Sequence, residues 1–258
     1  MRKLVRWFVA AAVGAVTLTA GSSVNAEPTT PTAVSNVFPV LWQGQAWLGR
    51  VSPVVQEAPA PNYWLSEPQT LYTDSAGRLH MEAQKIGSTF YSVAMTSVKN
   101  DYGYGTYQVV VDTPLESLDP MAVVGMYTYN QNYVPGRDEL DVELSRWGQP
   151  SPTYNNSQFV VQPWTWKGHL WSFFTPTTQT PVTFQWTWAP KAVSFREYAG
   201  TLPGGRLMKK WTLTSFSPAP ATGTSMNFNL WFMQGKQPYN GKNQEVILRS
   251  FTYTPSSG

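Results

Sequence analysis

Glu139, Asp141 and Glu143 occupy alternate positions of one five-residue run, with Leu140 and Val142 between them. On a strand, successive side chains point to opposite faces, so the three acids share one face and the two aliphatic residues take the other. Three carboxylates in a row raise one another's pKa, and a solvated strand would more naturally mix acids with Lys or Thr. Two carboxylates of unequal pKa flanking a bond are what glycoside hydrolysis requires. The run therefore points to acid–base and nucleophilic chemistry on a glycosidic bond. A solvated acidic face, or a calcium site built from the same carboxylates, is the alternative reading.

The elements that must position these acids are strands. From Val37 onward the chain is a succession of short runs rich in Val, Phe, Tyr, Trp and Thr, broken by Gly, Pro, Asn and Asp, which is the pattern of antiparallel strands. Strands are expected over 78–83, 104–111, 121–129, 139–143, 157–162, 182–188, 192–198, 225–232 and 244–253. No stretch keeps a helical period, and 21 Pro with 19 Gly argue against long helices. There is no internal repeat and no second-domain linker. Residues 37–258 read as one all-β domain of two packed antiparallel sheets, a sandwich or jelly roll.

The amino-terminal residues read as a targeting segment. Arg2, Lys3 and Arg6 precede an apolar run over 7–20, and Val24-Asn25-Ala26 offers small residues for cleavage. This is the pattern of a secretory signal over 1–26, and 27–36 is a flexible Pro/Thr-rich lead-in. The run is short for a membrane span. Three of the 18 basic residues and none of the 15 acidic ones lie in that segment, which leaves the remainder balanced. No basic stripe points to nucleic acid or an anionic membrane, so a neutral ligand is expected. The absence of cysteine excludes thiol catalysis and cysteine metal sites. Twelve Trp fit either sugar-ring platforms or large-sheet packing.

Asp138-Glu139-Leu140-Asp141-Val142-Glu143 resembles the Glu-x-Asp-x-Glu motif of glycoside hydrolase family 16. The resemblance extends to Tyr102-Gly103-Tyr104-Gly105-Thr106-Tyr107 and Tyr127-Thr128-Tyr129, in the order found in bacterial lichenases. Downstream, Phe184-Gln185-Trp186 with Gly200, and Asn229-Leu230-Trp231, resemble later strands of that family. It covers roughly 102–231 and implies a concanavalin A-like jelly roll with a concave glycan-binding cleft. It also implies that Glu139 is the nucleophile and Glu143 the general acid/base of a retaining double displacement, with Asp141 positioning the nucleophile and tuning its proton. Retention needs carboxyl groups about 5–5.5 Å apart, yet residues four apart on a flat strand lie at roughly 13 Å. The side chains must therefore lean together, which a strongly curved concave sheet would allow. With no extra residue between Asp141 and Glu143, the motif resembles lichenases and xyloglucan-modifying enzymes more than laminarinases. A charged pair that lichenases carry upstream of Tyr102 falls on Met95 and Ser97.

The cleft is expected to include Gln158 and Gln162, on one face of a strand paired with the acids, and Tyr129 and Asn229. Trp231, Trp64 and Trp147 are candidate stacking platforms, with core packing as their other reading. His80 and His169 lie on separate segments and give little basis for a triad or zinc site. No cofactor is implied by the residues. A structural calcium ion on the convex side is known in the family, without a ligand set readable in this chain. The implied activity is that of a secreted, monomeric endo-glycosidase on a β-linked glucan or galactan, extracellular or periplasmic. A transglycosylase with the same chemistry, and a non-catalytic glycan-binding protein on the same fold, are the competing readings.

Overall fold

The computed structural model describes residues 36–59, 61–130, 138–176 and 181–256. The signal segment 1–26, nearly all of the lead-in and most of the loop between the expected strands 121–129 and 139–143 lie outside the described residues. Sixteen strands are present among the described residues. The amino-terminal six are β1 (Asn36–Trp42), β2 (Gln45–Glu57), β3 (Asn62–Leu65), β4 (Leu71–Thr73), β5 (Leu79–Ile86) and β6 (Thr89–Ser97). The middle group is β7 (Gly105–Val111), β8 (Ala122–Asn130), β9 (Leu140–Leu144), β10 (Ser157–Val161) and β11 (Leu170–Phe173). The last five are β12 (Val182–Ala189), β13 (Ala192–Ala199), β14 (Arg206–Leu213), β15 (Thr224–Phe232) and β16 (Gln244–Pro255). Helical structure among these residues is limited to two short 3₁₀ turns, Leu115–Ser117 and Met233–Gly235.

The strands form two layers joined through β5. One layer runs β11-β10-β9-β8-β15-β6, and the other runs β16-β7-β12-β13-β14. Leu79 to Ala83 of β5 pair with β16, whereas Gln84 to Ile86 pair with β6, so this strand passes from one layer to the other. The remaining strands extend the two layers: β2 and β3 pair with β6, β1 with β2, and β4 with β5. Strand periodicity accounts for the core between the layers. Ala122, Val124 and Met126 of β8, Leu140, Val142 and Leu144 of β9, and Met226, Phe228, Leu230 and Phe232 of β15 point inward. They meet Val109, Phe184, Trp186, Phe195 and Phe251 of the other layer. Tyr107 and Trp186 stack at 5.1 Å within the second layer, and Phe159 of β10 stacks on Phe195 of β13 at 4.9 Å across the two layers. The other face of β9 and its neighbours carries the acids.

Every expected strand is present, with ends shifted by at most three residues. The expectation that an acidic strand begins at Glu139 is corrected by one position, since pairing starts at Leu140. Of the strands not expected from sequence, β11 and β14 lie at the edges of the two layers, whereas β6 lies inside, between β15 and β5. The alternation of the edge strands is weak: β14 is exposed or half-buried along almost its whole length.

Candidate active site

The acidic strand is held at its beginning by Asp138. This residue adopts the left-handed conformation (φ 64°), uncommon outside glycine but tolerated by Asp, and is fully buried. Its Oδ2 accepts hydrogen bonds from Asn130 Nδ2, the Ala221 backbone N–H and Thr224 Oγ1, each at 3.0 Å. Its carbonyl accepts a further bond from Thr128 Oγ1 at 2.6 Å. The chain is thus fixed immediately before Glu139, and the register that follows places Asp141 opposite Tyr127 and Glu143 opposite Gly125.

Glu139 and Asp141 are buried and Glu143 is half-buried. The alternative of a solvated acidic face does not hold: the acids lie on the outer face of the sheet but under cover of their neighbours. Burial is the leading reason that all three carboxyl groups are pushed above the usual carboxylate range. Mutual repulsion adds to it, Glu143 acting on Glu139, and both glutamates acting on Asp141. Strand β10 and the residue that follows it supply the opposing interaction. Gln158 Nε2 donates to Glu143 Oε2 at 2.5 Å and Gln162 Nε2 to Asp141 Oδ2 at 2.9 Å. Each amide favours the ionised form of its partner. Three carboxyls so packed titrate as one unit, and burial holds protons on the cluster to higher pH than on isolated carboxyls. Acid-assisted nucleophilic displacement needs one protonated and one ionised carboxyl in one site, and coupled carboxyls that share protons can supply both.

On the other side of the acids, Asn229 of β15 is built into the wall. Its Oδ1 accepts from the Gly125 backbone N–H at 2.9 Å and its Nδ2 donates to the Tyr127 hydroxyl at 3.3 Å. A side chain at Gly125 would place its Cβ 2.5 Å from that Oδ1, so glycine is required beside Glu143. Tyr127 was not singled out by the sequence, yet it stands opposite Asp141. Its hydroxyl is shifted further from ionisation, first by burial and then by Glu139, with Arg50 opposing. Tyr129, one pleat along, is buried and meets Tyr127 edge-on at 6.5 Å.

The expected aromatic platforms are largely part of the wall. Trp64, Ala94, Val123 and Trp231 form a small apolar cluster against which Trp147 and Met233 pack. Trp64 is fully buried, its indole N–H donates to the Glu57 carbonyl at 3.3 Å, and the Arg50 guanidinium lies 4.5 Å over its ring. Its role as a sugar platform is corrected to packing. Trp231 is also buried, with 7% exposure and an edge-on contact to Trp147 at 6.3 Å, so it offers no open ring face. Trp147 is half-buried. The charged pair sought at Met95 and Ser97 is absent from those positions, because both are buried and Met95 belongs to the core. A charged pair lies instead near β3, where Arg50 binds Glu57 at 2.5 Å and also donates to the Ala58 carbonyl. Residues seven apart on a regular strand point to opposite faces, and the pair meets because the β2–β3 register is irregular between Ser52 and Glu57, which no sequence spacing marks.

Among the described residues, no three acidic or histidine side chains are gathered as metal ligands. His80 is bound between Glu245 and Asp74 on the opposite layer, and His169 is buried with Nδ1 3.0 Å from the Val161 carbonyl.

The sequence matches no family model and no curated protein. Solved structures do match the fold. A Bacillus licheniformis β-glucanase aligns with TM-score 0.61 at 18% identity, covering 87% of this chain and all of that one. A prokaryotic β-1,3-1,4-glucanase (lichenase) from a mouse hindgut metagenome gives 0.59 at 17%, covering 85% and 99%. A glycosyl hydrolase family 16 protein from Mycobacterium smegmatis gives 0.57 at 14%, covering 83% and 94%. The fold is the jelly roll of these glucanases. It is the fold of glycoside hydrolase family 16, matching the family that the acidic motif resembles.

Proposed function

We propose that the chain is a glycosidase that cleaves a β-linked glucan in its acidic cleft, by double displacement with retention of configuration. The observation that carries this reading is the buried cluster Glu139–Asp141–Glu143, with Gln158 and Gln162 holding two of its members. Such a cluster is unfavourable for folding alone, since it confines three carboxyls where charge is poorly solvated. Glu139 attacks the anomeric carbon while Glu143 protonates the departing oxygen, giving a glycosyl–enzyme ester. Glu143 then removes a proton from water, whose oxygen displaces Glu139. Asp141 orients Glu139 and takes part in the proton sharing of the cluster. If a sugar hydroxyl replaces water in the second step, the same residues carry out transglycosylation.

A wall of buried Trp and Tyr beside the acids, with no basic stripe in the sequence after residue 26, supports a neutral polysaccharide as partner. Export through the segment 1–26, and action outside the cytoplasm as a monomer, belong to the same reading. A purified protein lacking that segment is expected to release reducing sugar from at least one of laminarin, lichenan or xyloglucan, and Glu139→Ala is expected to remove that activity by at least about 10³-fold. Equal activity in the two proteins would sink the assignment.

A further inference from the structure

The loop after β10 carries two exposed tryptophans, and the residues above leave it without a role. It is tied to the acidic cluster by a short polar relay. Gln162 donates through Nε2 to Asp141 Oδ2 at 2.9 Å, and its Oε1 accepts the Trp164 backbone N–H at 2.9 Å. A single side-chain amide therefore bridges the two, so that the Trp164 nitrogen lies at most about 8 Å from the Asp141 carboxylate. The rest of the loop is braced by its own hydrogen bonds. Trp166 N–H donates to the Pro163 carbonyl, His169 N–H to the Trp166 carbonyl, and Val161 N–H to the His169 carbonyl, all within 3.1 Å. The Trp166 ring packs edge-on against Phe216 at 5.5 Å and His169 at 5.2 Å. Both rings are exposed, Trp166 at 51% and Trp164 at 42%, but among the described residues the Trp164 ring joins no aromatic pair, which leaves its faces free.

We propose that Trp164 is a sugar-binding platform on the β10–β11 flank of the cleft, taking a pyranose ring of the chain that crosses the acids. The proposal rests on the glycosidase reading above. An exposed indole on a braced loop presents a large apolar face at little entropic cost, as the C–H face of a neutral pyranose requires. It also lies across the acidic strand from the Trp147–Trp231 wall, since strand order places β10 and β15 on opposite sides of β9. The buried tryptophans shape one flank of the cleft, and Trp164 grips the substrate on the other. Gln162 has two functions in this arrangement: it favours the ionised form of Asp141 and sets the distance from that acid to the platform.

The test is affinity electrophoresis in gels containing laminarin, lichenan or xyloglucan, with binding separated from turnover by a Glu139→Gln background. In that background, Trp164→Ala is expected to weaken retention by the polysaccharide at least tenfold, Trp164→Phe to restore most of it, and both to melt within 2–3 °C of the parent, roughly the margin for a surface change. If the parent is retained and Trp164→Ala is retained equally, the platform is wrong while the glycosidase reading stands. If the parent binds none of the three glucans, both are overturned.

Discussion

At the scale of single residues, Glu143 is governed by two opposed influences, burial raising its pKa and the Gln158 amide lowering it. The balance predicts the effect of removing the amide. Gln158→Ala deletes a donor that favours the ionised carboxylate, so the group that must hold a proton holds it to higher pH. The alkaline limb of kcat/KM is expected to move up by about one pH unit, the scale of one hydrogen bond to a charged group. A limb that stays in place or moves down would show that Gln158 does not control the acid. The identity of this pair was legible in the sequence, because alternation alone puts Gln158 and Gln162 on one face. The burial of the acids was not legible. It depends on residues brought from β8, β10 and β15, and no local pattern reports that cover. Tyr127 was missed for a related reason: Tyr127 and Tyr129 share one face, and only the pairing with β9 shows which of them stands opposite Asp141.

At the scale of elements, the cleft wall is a packed unit in which β3, β6, β8 and β15 each contribute an apolar residue. Trp64 is its largest fully buried member. Trp64→Ala is expected to destabilise the protein by about 3–5 kcal/mol, lowering the melting temperature by roughly 10 °C. Differential scanning calorimetry checks this; an unchanged melting temperature with weakened glucan binding would return Trp64 to the role of platform. Composition showed that the chain has more tryptophan than a core needs but not which ones are surplus. Trp64 and Trp231 looked like platforms by analogy and are packing, whereas Trp164 sits in a Pro- and Gly-containing loop whose position follows from the β10–β11 hairpin. The central strands were readable because their inward and outward residues differ sharply in polarity. The edge strands β11 and β14 were not, since a strand with one neighbour buries neither face well.

At the scale of the whole molecule, the long-range pairing of β8 with β15 and of β9 with β10 brings residues from 125 to 231 to one surface. The jelly roll was legible from strand rhythm and turn chemistry, and the acidic motif marked which strand lines the cleft. What this architecture is for rests on the separate roles of Glu139 and Glu143, and the most direct measurement is azide rescue of two variants on an activated aryl glycoside, with product configuration read by proton NMR. Glu139→Ala is expected to be inactive alone and to regain turnover with azide, giving a glycosyl azide of inverted configuration, because azide enters the space left by the nucleophile. Glu143→Ala is expected to form the glycosyl–enzyme ester and release it to azide with configuration retained. Retained product from Glu139→Ala, or wild-type turnover without azide, would contradict the account.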